Sequence, residues 1–190
     1  MASGGVRGGQ YRPLAPESVG RLHDVALDLL WEVGVQINSQ QALDIFAGAG
    51  AGVDRGARLV RLPKAMVEDA IASAPSRVLL AGREEKHDLL LEGTRVYMGT
   101  GGTTVYVLDL EGRKRESTLH DVAQIARLVD ALDHIHFIVI PVYPNELPVE
   151  HVDVNRFYAS LRHCSKHIQG GMYDLQGVRN VMRMGEIIAG

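Results

Sequence analysis

The chain has 190 residues, of which 46% are hydrophobic and 23% charged, a composition typical of a globular protein with a buried core. Its net charge of -3 gives no electrostatic reason to expect a nucleic-acid partner, and no apolar run approaches the roughly 18 residues of a membrane span. The single cysteine, Cys164, excludes a disulfide within the chain and predicts a reducing, cytoplasmic location.

The first part of the chain predicts a tail followed by a cap region. Residues 1–10 are rich in glycine and predict a flexible tail, and residues 11–116 predict a region of helices and β-hairpins. The predicted elements are, in chain order, helices over 17–33 and 41–47, a hairpin over 53–62, a helix over 63–74 and short strands over 77–81, 89–91, 95–98 and 104–109.

Residues 117–190 predict alternating helices and strands, the pattern of a parallel α/β fold. The predicted elements are a helix that begins at Thr118 with a capping box to Asp121, a strand over 135–140, a helix over 149–163, a strand over 166–169 and a helix over 175–189. Glu150 and Asp153, near the start of the second helix, are explained by the helix dipole.

The predicted fold class is therefore α/β, an incomplete (β/α)8 TIM-type barrel preceded by the helix-plus-hairpin region. Such a barrel needs eight strands and about 250 residues, and only two barrel-type strands are predicted here. We therefore expect the chain to be the first part of a larger enzyme.

A segment rich in glycine and threonine lies between two predicted strands, with Gly99, Thr100, Gly101, Gly102 and Thr103. Glycine permits positive φ angles and lets a ligand approach backbone N–H groups. The segment does not open a helix, so it is neither a P-loop nor a dinucleotide fingerprint. The pattern fits both a tight turn and a loop that contacts a ligand.

Two loops follow the predicted parallel strands, at the end where α/β enzymes bind ligands. The first contains Tyr143, and the second contains Gly170, Gly171 and Tyr173. An aromatic face attracts a quaternary ammonium group by a cation–π interaction of about 0.5–2 kcal/mol. The alternative is that each tyrosine packs against its own loop.

Two groups of histidines invite a metal-site interpretation. His134 and His136 resemble the His-x-His pair of metal-dependent hydrolases, but they lie at the N-terminal end of the predicted strand, away from the active-site end of a barrel. His163, Cys164 and His167 fall within five residues, which is cramped for three ligands of one metal ion. We predict no metal site and a structural role for these residues.

Five stretches occur in a characteristic order: 9–14 (GQYRPL), 32–35 (EVGV), 97–102 (YMGTGG), 155–158 (NRFY) and 165–171 (SKHIQGG). In this order they resemble the N-terminal part of the trimethylamine methyltransferase family, which includes the glycine betaine methyltransferases. The resemblance extends from about Gly8 to Gly190.

The resemblance implies a (β/α)8 barrel enzyme that transfers a methyl group from a methylated amine or betaine to the cobalt of a corrinoid (cobalamin). The corrinoid is carried by a cognate partner protein, and we expect this chain alone to bind none. A quaternary amine leaves as a neutral amine, whereas a tertiary amine needs activation, which in the trimethylamine enzymes comes from a pyrrolysine in the C-terminal half.

The resemblance also bears on the site residues. Gly99, Thr100, Gly101 and Gly102 match a family motif and become candidate contacts of substrate or cofactor, whereas Lys166 and His167 are expected to be structural. The full set of binding candidates is Gly99, Thr100, Gly101, Gly102, Thr103, Tyr143, Gly170, Gly171 and Tyr173, and no catalytic residue is identified.

Two other hypotheses remain from the sequence. If 190 residues were the whole polypeptide, we would expect no methyl transfer but an inactive remnant or interaction module, stabilised as a homo-oligomer that covers the apolar run at 135–140. The second is a metal-dependent barrel hydrolase that uses His134 and His136.

Overall fold

The computed structural model describes residues 5–190, which form a mixed α/β architecture without a closed barrel. The helices are α1 (Pro16–Glu32), α2 (Gln40–Gly48), α3 (Lys64–Ser73), α4 (Leu119–Ala131), α5 (Val149–His163) and α6 (Leu175–Ala189). Within the described part of the chain, no helix combines the length and the apolarity that a membrane crossing requires.

The strands are short and pair into small sheets. They are β1 (Val6–Arg7), β2 (Val35–Gln36), β3 (Gly52–Asp54), β4 (Leu59–Arg61), β5 (Arg77–Leu80), β6 (Leu89–Glu92), β7 (Arg95–Val96), β8 (Tyr106–Leu108), β9 (Lys114–Glu116), β10 (Phe137–Val139) and β11 (His167–Gln169).

The chain divides into two compact units, of which the first is Gly9–Ser76. In this unit α1 packs against α3, and β3 and β4 form the predicted antiparallel hairpin. The side chain of Ser39 accepts a hydrogen bond from the Ala42 N–H and so caps α2. The two-residue strand β2, which pairs with β4, was not predicted.

The second unit combines Arg77–Gly190 with residues 5–8. β1 pairs antiparallel with β7, with Val6 opposite Val96 and Arg7 opposite Arg95. The predicted flexible tail over residues 1–10 therefore needs correction at Val6–Arg7, because the backbone groups of these residues are held in a sheet. Residues 1–4 lie outside the described part of the chain.

The hairpin strands and the following helices belong to the same unit, whereas the sequence placed a boundary between residues 116 and 117. β5 pairs antiparallel with β6, as predicted for a hairpin, and β8 pairs antiparallel with β9. Isolated parallel bridges join Gly99 to Phe137 and Thr104 to Val142. The segment between the hairpins thus runs alongside β10, and this pairing joins residues 77–116 to the helical part.

β10 and β11 form a parallel pair connected by α5, as the sequence predicts. Ile138 and Ile140 are fully buried, and α4 and α5 pack closely together. One core cluster joins Val122, Ile140, Val142, Phe157 and Ala159, and another joins Ala126, Val129, Ile138 and Cys164. The parallel pair is therefore anchored in a close-packed core, which fixes the position of its C-terminal ends.

Helix α4 begins with the predicted capping box. The Thr118 hydroxyl accepts a hydrogen bond from the Asp121 N–H, and the Asp121 carboxylate accepts one from the Thr118 N–H at 2.8 Å. Arg115 donates two further hydrogen bonds to the same carboxylate, at 2.7 and 2.8 Å. These hydrogen bonds with Arg115, the largest cause, hold the pKa of Asp121 well below its usual range.

Candidate functional site

The loops that follow β10 and β11 bring Tyr143 and Tyr173 together at the C-terminal ends of the parallel pair. Their ring centroids lie 5.9 Å apart, with an angle of 75° between the ring planes, an edge-to-face contact. Tyr143 is half-buried, whereas 53% of Tyr173 is exposed. The loops after the two parallel strands therefore place both aromatic rings at the same accessible end of the strand pair.

The two rings differ in their electrostatic surroundings. The guanidinium carbon of Arg156 lies 4.8 Å from the centroid of the Tyr173 ring, within the range of a cation–π interaction. No such cation lies over Tyr143 among residues 5–190. One face of Tyr173 therefore already interacts with a positive charge, whereas Tyr143 keeps its attraction for an incoming cation.

Polar contacts fix the loop that carries Tyr143. The Ser117 hydroxyl is buried and donates a hydrogen bond to the Tyr143 carbonyl at 2.6 Å. The Asn145 side-chain amide donates to the Val105 and Ser117 carbonyls at 2.9 and 3.1 Å. These two positioning side chains were not identified from the sequence, because their partners come from distant segments.

The threonines of the predicted ligand loop bind the edge of β10. The Thr100 hydroxyl donates to the Val139 carbonyl at 2.6 Å and accepts from the Val139 N–H at 2.9 Å. The Thr103 hydroxyl donates to the Ile140 carbonyl at 3.2 Å. Both hydroxyl protons are thereby used in satisfying strand backbone, so a ligand contact by Thr100 or Thr103 stays a prediction.

The candidate glycines fall into two groups. A Cβ at Gly99 would collide with the Phe137 ring, and one at Gly170 would lie 2.9 Å from the Phe157 ring, so packing requires glycine at both positions. A Cβ at Gly101, Gly102 or Gly171 would meet no described atom within 4 Å, and none of the three has a positive φ angle.

For Gly101, Gly102 and Gly171, therefore, neither packing nor backbone conformation within residues 5–190 explains the choice of glycine. All three lie exposed on the loops of the candidate site. They leave open backbone surface that a ligand or another part of a protein can approach closely. Packing therefore explains Gly99 and Gly170 but not the other three glycines, and ligand contact stays a prediction for all five.

A buried ion pair on α5 also reaches the site. Asp153 and Arg156 are 3% and 1% exposed, and the Arg156 Nη2 donates to the Asp153 Oδ1 at 2.9 Å. The sequence explained Asp153 by the helix dipole alone, and this interpretation was incomplete. The sequence did contain a signal for this ion pair. Asp153 and Arg156 lie three residues apart on one face of a helix, next to apolar core residues.

His136, His167 and Cys164 have structural surroundings. The His136 ring accepts a hydrogen bond from the Met98 N–H at 3.0 Å and packs edge-on against Tyr97, and the His167 ring lies 2.9 Å from the Ala81 carbonyl oxygen. Cys164 is 1% exposed, and burial raises the pKa of its thiol. Among residues 5–190, no three His, Cys, Asp or Glu side chains are grouped to hold a metal ion.

Comparison with known proteins places these features in a family context. Residues 5–190 match the model of the family described as trimethylamine methyltransferase (MTTB). The trimethylamine methyltransferase MttB of Desulfitobacterium hafniense is 34% identical over 186 residues, which cover 97% of this chain and 38% of that protein.

Two further relatives bear similar names. The trimethylamine methyltransferase MttB of Methanosarcina thermophila is 30% identical over 80% of this chain and 32% of its own length. The glycine betaine methyltransferase of Desulfitobacterium hafniense strain Y51 is 23% identical over 95% of this chain and 38% of its own length. The chain thus spans less than two fifths of the length of these relatives.

Proposed function

The chain belongs to the trimethylamine methyltransferase family, and on that premise we propose that it forms the N-terminal part of an enzyme that removes a methyl group from a methylated amine or betaine. The structural observation that carries this proposal is the edge-to-face pair of Tyr143 and Tyr173 at the C-terminal ends of β10 and β11. Family membership supports the reaction class, and the tyrosines support a cationic methyl donor.

The methylated nitrogen is the part of the substrate that these residues fit. A quaternary or protonated ammonium group carries a diffuse positive charge with few or no hydrogen-bond donors, so aromatic faces suit it well. Tyr143 supplies the main attraction, because Arg156 already lies over the Tyr173 ring. The tyrosine rings orient the donor and exclude water from one side of it.

We propose that the methyl acceptor is a corrinoid held by a partner protein, which supplies a strongly nucleophilic metal centre when it is bound. The exposed backbone at Gly101, Gly102 and Gly171 leaves room for a large group to approach the ends of the strands. In this proposal the chain contributes surface to the corrinoid, while the partner protein holds it.

We also propose that the whole protein is a (β/α)8 barrel. The parallel β10–α5–β11 unit followed by α6 is the repeat from which such a barrel is built. In that architecture the loops with Tyr143 and Tyr173 would face the catalytic end. A structure of the complete gene product tests this directly, and an open sheet would contradict it.

The function is tested with the gene product that carries this chain. It is incubated with a reduced corrinoid protein and either trimethylamine or glycine betaine, and the demethylated amine is measured by proton NMR. We expect demethylation of one of the two substrates. Formation of neither product, under conditions in which a relative such as the Desulfitobacterium hafniense enzyme is active, would contradict the proposal.

Variants of the two tyrosines test the site. We expect Tyr143→Ala to raise the KM for the methylated amine by a factor of about 2 to 30, which corresponds to the loss of about 0.5–2 kcal/mol. Tyr173→Ala should raise KM less, because Arg156 already occupies one face of that ring. Tyr158→Ala, an exposed tyrosine on α5, is the matched control and should leave KM unchanged.

A further inference from the structure

The buried Asp153–Arg156 pair touches the loop after β11 at three points. The Arg156 Nη2 donates a hydrogen bond to the Gly171 carbonyl, and the guanidinium stacks on the Tyr173 ring. The Asp153 Oδ2 accepts a hydrogen bond from the Tyr173 N–H at 2.7 Å. Backbone and ring of the same short loop are thus attached to one ion pair.

The pair is also enclosed from the side of α6. A Cβ at Gly177, in the first turn of α6, would collide with the Asp153 carboxylate. Asp174 caps the same turn by accepting a hydrogen bond from the Gly177 N–H at 2.6 Å. The carboxylate therefore has little freedom to move, and neither has the loop residue that it binds.

Stability is a weak reason for such a pair. Two buried charges lose their hydration, and well-packed apolar side chains of similar volume are often as stabilising or more so. In addition, the buried Arg156 Nε finds no hydrogen-bond acceptor among residues 5–190. A group that leaves a donor unsatisfied yet binds three parts of one loop is better explained by control of that loop.

We propose that Asp153 and Arg156 are positioning residues for the methyl-donor site, which hold the Gly171 carbonyl and the Tyr173 ring in place. The inference rests on the proposed function, since the loop they hold carries Tyr173 and lies against Tyr143. Arg156 has a second effect: its charge on one face of Tyr173 makes the electron-rich face of Tyr143 the preferred contact for the ammonium group.

The first test measures the loop without any ligand. Amide hydrogen exchange is followed by NMR in the full chain for the wild type and for Asp153→Asn. We expect exchange at Tyr173 to accelerate about 10-fold or more, because its acceptor loses its charge and its ion pair, while Ile138 in β10 keeps its protection.

The chain offers a matched control at the other end of β11. The Asp130 carboxylate accepts hydrogen bonds from the Ser165 N–H and hydroxyl, at 2.7 and 2.8 Å, just before that strand. Asp130→Asn should therefore accelerate exchange at Ser165 but leave Tyr173 unchanged. Equal exchange at Tyr173 in the Asp153→Asn protein and in the wild type would overturn the proposal.

The second test separates positioning from stability by kinetics. In the gene product that carries this chain, Asp153→Asn and Arg156→Lys should each raise the KM for the demethylated substrate about 10-fold with little change in kcat, since a loosened binding loop weakens ground state and transition state alike. Asp130→Asn should leave KM within about twofold of the wild type.

Arg156→Lys and Arg156→Met distinguish charge from shape. Lysine retains a cation for Asp153 but lacks the planar fork that reaches Gly171 and stacks on Tyr173. We therefore expect Arg156→Lys to fold more stably than Arg156→Met and yet to retain the raised KM. Recovery of both stability and KM by lysine would show that only the buried charge matters, and would overturn the positioning role.

The failure of this inference and that of the proposed function give different results. If the wild-type protein demethylates neither trimethylamine nor glycine betaine, the proposed function fails, while hydrogen exchange still decides whether the pair holds the loop. If the wild type is active but Asp153→Asn and Asp130→Asn change KM equally, the function stands and the positioning role is wrong.

Discussion

The two ends of the β10–β11 pair are stabilised in different ways. At the N-terminal end, the Lys166 ammonium is 4% exposed and donates hydrogen bonds of 2.7 Å to three carbonyls, those of Val129, Leu132 and Ile135. At the C-terminal end, glycines lie open, two tyrosines reach solvent and the Arg156 Nε lacks an acceptor within residues 5–190.

The difference shows that one end of the parallel strand pair serves stability, while the other end keeps accessible surface. A buried cation surrounded by carbonyls at a helix C-terminus satisfies both the helix and the strand, and leaves nothing for a ligand. The other end keeps surface and polar groups that the described residues do not fully use. Barrel enzymes in general separate stability and chemistry in this way.

The largest effect of a substitution is expected at the N-terminal end of the strand pair, and it tests whether the two ends differ as described. Lys166→Met removes the donor shared by three buried or partly buried carbonyls, so we expect a loss of about 3–5 kcal/mol in the free energy of unfolding, measured by urea denaturation. Lys86→Met is the control, because Lys86 pairs with Glu84 on the surface and should cost less than about 1 kcal/mol. A similar cost for both variants would mean that water replaces the ammonium group.

Substitutions of two glycines test the same comparison, with an intermediate effect on stability. Gly99→Ala should destabilise the fold by about 1–3 kcal/mol, because its Cβ would overlap the Phe137 ring. Gly101→Ala should change stability by less than about 0.5 kcal/mol, since a Cβ there meets no described atom within 4 Å. Thermal unfolding together with the demethylation assay tests the pair.

For Gly101→Ala, the informative result is an enzyme of normal stability with lower activity. Normal activity would remove Gly101 from the binding surface and leave only a turn. Loss of stability would instead show that the loop packs against something that residues 5–190 do not include.

An effect smaller than that of Gly99→Ala is expected at the start of α4, where Ser117, just before the N-cap residue Thr118, donates a hydrogen bond to the Tyr143 carbonyl. The pKa of Asp121 is lowered by Arg115, so its stabilising contribution is full above the unfolded-state pKa of about 3.9 and is lost as the pH falls towards the native value. We expect Asp121→Asn to cost about 1–2 kcal/mol at pH 7 and progressively less below pH 4.

Urea denaturation of the wild type and of Asp121→Asn at pH 7, 4 and 3 measures this dependence. Glu186→Gln, which breaks an exposed ion pair to Arg183, is the control and should show little difference at any of these pH values. A difference between wild type and Asp121→Asn that is constant across the range would contradict the assigned role of the carboxylate charge.

Local sequence patterns predicted the elements well where the cause of the structure is local. Thr118 and Asp121 form the capping box, and the bounds of α5 and α6 agree with the helical periodicity. The parallel pairing of β10 and β11 also followed from the alternation of strand and helix. Each of these features depends on residues of one helix or of one strand–helix–strand unit.

Pairings over long distances were not predictable in this way. β1 was placed in the predicted tail because Val6 and Arg7 lie among glycines, and two residues alone carry no strand signal. Its partner β7 lies far along the chain. The sequence left the segment with Thr100 and Thr103 open between a tight turn and a ligand loop, and it did not predict that their hydroxyls bind the edge of β10. Hydrogen-bond partners of this kind become known only when the strands are placed.

The features of the candidate site likewise fall into those that the sequence determines and those that the tertiary structure decides. By itself the sequence determined the family, the helices and the parallel strand pair, and the presence of tyrosines and glycines after those two strands, because these depend on residue identity and short-range periodicity. Only the tertiary structure decided that Tyr143 meets Tyr173, which glycines are packed, and that Asp153 and Arg156 hold the second loop. Those relations depend on distances between side chains from separate elements, and only the packed chain defines such distances.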